Sequence, residues 1–137
     1  MDKEQSIVIG IPGQWNNQED IVKAIEAHSK GWNFSGMMLL NTETNESFGL
    51  EIYEKTDGLH LAFEQGSQGR IDSELLQKIE AHTFVLYLIG PGGSIENAKN
   101  IMHVANDLLA VGGLGIKVES AGKAFSTEQW AELCSAK

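Results

Sequence analysis

A single cysteine, Cys134, stands in the whole chain. That excludes an internal disulfide framework and any zinc site built from cysteine alone. Cations are also few: the ten basic residues are scattered, and Arg70 is the sole arginine among them. Against nineteen acidic residues they leave a net charge of −9. No basic cluster exists to meet phosphate, so nucleic acid is not an expected partner. The acidity serves solubility, and it also suits a surface facing a basic protein partner. No apolar run approaches the ~20 residues that span a bilayer, so no membrane contact is expected. Met1-Asp-Lys-Glu-Gln5 is acidic and polar, without the apolar core of a secretion signal. These absences place the protein in the cytoplasm, as a full-length chain.

Catalytic and cofactor signatures are missing as well. The chain has neither the Gly-x-x-x-x-Gly-Lys-Ser/Thr loop that cradles nucleotide phosphates nor the Gly-x-Gly-x-x-Gly dinucleotide turn. No Gly-x-Ser-x-Gly elbow occurs. The four histidines, at 28, 60, 82 and 103, lack metal-ligand spacing such as His-x-x-x-His. Two of them, His28 and His82, fall at helix C-termini, where the dipole favours a cation. Cys134 has no paired histidine motif and is not a nucleophile candidate. No catalytic residue, metal or cofactor is assigned.

What is present is an ordinary globular composition, 42% hydrophobic and 21% charged over 137 residues. That length suits one domain, residues 1–137, burying roughly 68% of its unfolded surface. Ser6-Ile-Val-Ile-Gly-Ile11 reads as a buried strand closed by Pro12-Gly13. Asn17 caps a helix over 18–30, with Glu19 and Asp20 in its first turn, Ile21, Val22, Ala24 and Ile25 near one face, and Gly31 as its stop. Trp32 is expected to pack back on that helix end. Gly36-Met-Met-Leu-Leu40 and the alternating Phe48, Leu50 and Ile52 make a hairpin with a polar loop, leaving Glu51 and Glu54 as a solvated strand face. Residues 57–66 fit either an alternating strand or a short helix capped by Asp57 and stopped by Gly66; the helix is preferred. Asp72 caps the next helix, with Ile71 and Leu76 as a hydrophobic staple and Leu75, Leu76 and Ile79 as its stripe. After a strand at 83–89, Ser94 opens a helix in which Ile95, Ala98, Ile101, Met102, Ala105, Leu108 and Leu109 all fall on one face. Gly112 and Gly113 end it, a strand covers 115–119, and Ser126 with Gln129 forms a capping box for a last helix bearing Trp130 and Leu133.

Ile25-Glu-Ala-His28 and Ile79-Glu-Ala-His82 occupy matching helix ends and suggest two similar halves. The expected fold is α+β: a ferredoxin-like βαββαβ core extended by a C-terminal α-β-α. Its sheet of about five strands is mainly antiparallel, with one parallel β-α-β pair made by 83–89 and 115–119. Helices 18–30, 73–82 and 95–111 are expected on one face.

That parallel pair carries the candidate site. Both strand ends would lie on one edge, where open α/β sheets bind ligands. The N–H groups of Gly92, Gly93 and Ser94 would meet an anion at a helix N-terminus. Ser120 would orient it, Lys123 would neutralise charge and Glu119 would be the nearby acid or base. The same Gly-Pro-Gly-Gly run is equally an ordinary reversal between strand and helix. Trp15 is read as a core anchor or, if exposed, an interaction residue.

Gly10-Ile-Pro-Gly13 with Trp15, Val85-Leu-Tyr-Leu-Ile-Gly-Pro-Gly-Gly-Ser94 and Gly112-Gly-Leu-Gly-Ile-Lys-Val-Glu-Ser-Ala-Gly-Lys-Ala124 resemble an uncharacterised bacterial group, domain-of-unknown-function family 4261. The resemblance covers most of the chain. It implies a bacterial cytosolic protein with an α+β fold, favours the helix at 58–65, and transfers no catalytic residue. The preferred function is a non-enzymatic binding or regulatory module acting through protein contacts, adaptor- or immunity-like. The alternative is a small-molecule binder or enzyme for an anionic ligand at the 90–94/119–124 edge.

Overall fold

Alternation along the apolar run Phe84–Pro91 organises the molecule. Phe84, Leu86 and Leu88 join one core cluster, whereas Val85 and Tyr87 join another. Successive strand residues point to opposite faces, so a strand apolar on both sides needs cover on both. The computed structural model describes residues 6–27, 31–35, 37–119 and 121–135, and it has helices on each side of one sheet.

The described elements are β1 (Ser6–Gly13), α1 (Gln18–Ala27), β2 (Trp32–Ser35), β3 (Met38–Asn41), β4 (Ser47–Glu54), α2 (Leu59–Ser67), α3 (Ser73–Glu80), β5 (Phe84–Pro91), α4 (Ile95–Ala110), β6 (Gly115–Val118), β7 (Lys123–Ser126) and α5 (Thr127–Ser135). The sheet has seven strands in the order β2-β3-β4-β5-β1-β6-β7. The first core lies under α1, α4 and α5, through Ile21 and Ile25, Ile101, Val104, Ala105 and Leu108, and Trp130. The second lies under α2 and α3, where Leu59, Phe63 and Ile79 meet Val85 and Ala124. Burying one such large apolar side chain stabilises the fold by ~1.5–3 kcal/mol before entropy is counted. Among the described residues no helix is long and apolar enough to cross a membrane.

The α+β class and the caps agree with the sequence reading. Asn17 Oδ1 accepts from Asp20 N–H at 2.8 Å, Asp72 Oδ1 from Leu75 N–H at 2.9 Å, and Ser94 Oγ from Asn97 N–H at 3.0 Å. Ser126 and Gln129 bond reciprocally, closing the capping box on α5.

The ferredoxin-like arrangement and its parallel pair do not appear: every neighbouring pair of strands is antiparallel. β1 stands between β5 and β6, which run the same way without touching. The physical reason is ladder length. β1 pairs with β5 at eight positions, from Ser6↔Pro91 to Gly13↔Phe84, a match that the four residues of β6 could not supply. Gly10 also makes room there, since a Cβ on it would come within 3.1 Å of the Tyr87 ring. The helix reading is corrected too. α1 and α4 share a face, but α3 covers the opposite one, because Leu75, Leu76 and Ile79 pack in the cluster of Val85 and Tyr87.

Smaller differences follow from local geometry. β2 and β7 bring the strands from about five to seven, and Trp32 opens β2, in the same core cluster as Ile21 and Ile25 of α1. Its ring tilts against Phe48, and its indole N–H donates to Asp107 Oδ2 at 3.1 Å. Residues 59–67 are helical, but Gly58 and not Asp57 is the N-cap, and the helix runs through Gly66 to Ser67. Ile95 is 76% exposed despite its place in the pattern. Gly36, His28 and Ser120, and the terminal Met1–Gln5 stretch, lie outside the described residues.

Candidate functional site

Residues 92–94 leave β5 and enter α4. Gly93 has φ +87° and open space where a side chain would stand. Ser94 spends its hydroxyl on the Asn97 cap, and Asn97 Nδ2 returns a bond to Gly92 O at 2.9 Å. Glu119 follows β6; its N–H donates to Val8 O at 2.9 Å and its Oε1 accepts from Lys117 Nζ at 3.1 Å. Lys123 opens β7 and is exposed.

All these residues lie towards one end of the sheet, as expected, but they are spread out. With β1 and β6 between β5 and β7, Lys123 is about 14 Å across the sheet from the glycine loop at a strand spacing of ~4.8 Å. Faces divide them further. Glu119 Oε2 lies 3.3 Å from where a Gly10 Cβ would be, on the side of Tyr87. Lys123 pairs with Val118, which packs against the α4-side core, and so shares that other side. An anion on the Gly92–Ser94 amides would therefore be out of reach of both Glu119 and Lys123. Trp15 is only 9% exposed, and its indole N–H donates to Val111 O at 3.0 Å. It is a core anchor.

The other reactive groups are engaged in the fold. Cys134 Sγ donates to Met102 O at 3.5 Å, and burial raises its pKa, away from the thiolate. His82 is buried, with Nδ1–H donating to Ile79 O at 2.5 Å and Nε2 accepting from Thr56 N–H at 3.0 Å. Burial lowers its pKa most; the Ile79 carbonyl and the Asp57 charge oppose that shift, and Lys55 adds to it.

A different surface draws attention. α2 and α3 gather over Val85, Tyr87, Leu114 and Ala124 and leave the β3–β4 side of their face bare. There Met38 and Leu40 are 42% and 40% exposed, and Tyr53, four residues along β4 from Met38's partner Gly49, is 51% exposed; Met37, in the turn before β3, is 59% exposed. Tyr53 stands edge-on to Tyr87, with ring centroids 5.5 Å apart, and donates its hydroxyl to Glu51 Oε1 at 2.8 Å. That hydrogen bond, then the carboxylate's charge, raises the Tyr53 pKa. Burial, then the charge of Glu119, raises that of Tyr87. This stretch of sheet face therefore carries apolar and aromatic groups beside the Glu51 carboxylate. Sequence reasoning misses it because Gly36–Leu40 reads as one buried run.

No protein-family model, curated protein or solved structure matches the chain.

Proposed function

We propose that this chain is a non-enzymatic protein-binding module, adaptor- or immunity-like, that meets a basic partner with the uncovered face of β3 and β4. One observation carries the reading. Met38 and Leu40 are large apolar groups exposed two residues apart on the face of β3 that the helices leave open, and Tyr53 is exposed further along the same face of β4. Exposed apolar groups on an uncovered face bordered by polar groups mark interaction sites. Glu51 lies on this face in a chain of net charge −9, which suits steering of a cationic partner. A cytoplasmic location and kinship with the family of unknown function that the chain resembles belong to the same proposal.

Capture from the host at low and moderate salt tests it. The wild-type chain should retain a basic protein that is lost as salt rises, and Met38→Lys should not retain it at either salt. Equal capture by Met38→Lys, or no salt-sensitive basic protein, would overturn the reading.

A further inference from the structure

β4 is longer than its outer neighbour. β3 begins at Met38, opposite Gly49, and the last bond on that side runs from Leu50 N–H to Met37 O at 2.9 Å. β4 continues through Glu51, Ile52, Tyr53 and Glu54, paired with β5 on its inner side as far as Glu54↔Phe84. Among the described residues no strand pairs with these four on the outer side. The amide of Leu50 points outward, so the two-residue period of a strand turns the amides of Ile52 and Glu54 outward too. In line with β3, where its continuation would lie, is a cavity of about 330 Å³ lined by Gln18, Phe34, Met37, Leu50, Ile52 and Tyr53.

We infer that this edge takes an extended segment of the basic partner by strand addition, its residues alternating apolar and basic. The inference rests on the protein-binding reading above and names the place and the form of the contact. Main-chain bonds to an open edge supply affinity, and alternate side chains supply specificity. The two sides of β4 differ in chemistry. Phe34, Leu50 and Ile52 belong to the α1-side core, so an incoming side chain on that side meets apolar surface. Glu51 and Tyr53 lie on the open side, where a directly opposite residue on an added strand comes within ~5 Å. A lysine or arginine there meets a carboxylate with an aromatic ring beside it, and both attract a cation. Lys55, the next cation along the chain, is turned away to the carbonyl of Glu80. A second copy of the chain fits poorly, since each copy carries −9 and would bring Glu51 and Glu54 against an equally acidic surface. Unpaired edges are commonly blunted by proline or lysine, and residues 51–54 contain neither.

Two ten-residue synthetic peptides, alternating valine with arginine and valine with glutamate, test the inference by amide exchange measured residue by residue. The arginine peptide should bind at up to about 1 mM and slow exchange at Ile52 and Glu54 by about tenfold or more, while the glutamate peptide should do neither. Glu51→Gln should weaken binding about two- to fivefold. Binding of the arginine peptide without slowing at Ile52 and Glu54 would overturn the edge and leave the basic-partner reading standing. Failure of the arginine peptide at that concentration would also overturn the edge. The broader reading falls separately, when the wild-type chain captures no salt-sensitive basic protein.

Discussion

Two residues show how local geometry converts into stability. Gly93 sits at φ +87°, a region that side-chain-bearing residues reach at a cost, yet nothing lies within 4 Å of its missing Cβ. Backbone strain and not collision is therefore what a substitution would meet. Gly93→Val is expected to lose ~1–3 kcal/mol, and Lys123→Ala, on an exposed lysine, less than about 0.5 kcal/mol. Chemical denaturation of both decides it; an unchanged midpoint for Gly93→Val would contradict the strained turn. His82 makes a pH-dependent contribution. Its partners require a protonated Nδ1 and a bare Nε2, and burial favours that neutral ring. A histidine whose pKa is lowered by folding binds its proton more readily when unfolded. Its contribution is fully present above the unfolded pKa of ~6.5 and is lost as pH falls from there towards the lower folded value. The denaturation midpoint should fall below about pH 6.5 in the wild type and fall less in His82→Asn. Equal slopes in the two proteins would remove His82 from the explanation.

Helix ends were legible because a cap is a contact between near neighbours. Asn17, Asp72, Ser94 and the Ser126–Gln129 box all bond across three residues, so their spacing in the chain carries the information. Ser126→Ala should cost ~1 kcal/mol, since it strips the cap of α5, whereas Ile95→Ser should stay within about 0.5 kcal/mol despite breaking the apolar pattern of α4. Thermal unfolding of the two variants separates them, and a larger loss for Ile95→Ser would contradict its exposed position. Pairings between distant segments were not legible. Nothing local in Ser6–Gly13 says that it inserts between β5 and β6, because the insertion depends on a ladder with residues 84–91. The candidate site inherited that gap: its segments reach one end of the sheet, but the intervening strand sets their separation and their faces. Nor was the side chosen by α3 legible, because its stripe of Leu75, Leu76 and Ile79 would suit either face of an apolar strand.

At the scale of the molecule, two cores are unequal. Among the described residues seventeen buried ones form the cluster under α1, α4 and α5, against six under α2 and α3, so the second layer is the smaller. The uncovered part of the sheet carries the exposed Met38 and Leu40 and, beyond them along β4, the exposed Tyr53 on the strand's unpaired length. An acidic molecule with one bare sheet face that carries the Glu51 carboxylate is suited to a cationic protein surface. Hydrogen exchange across the whole chain, free and in the complex captured from the host, tests this most directly. Exchange should slow at Met37–Leu40 and Glu51–Glu54 and stay unchanged at Gly92–Asn97. Slowing confined to Gly92–Asn97 and the turn before Lys123, with the β3–β4 face unaffected, would contradict it.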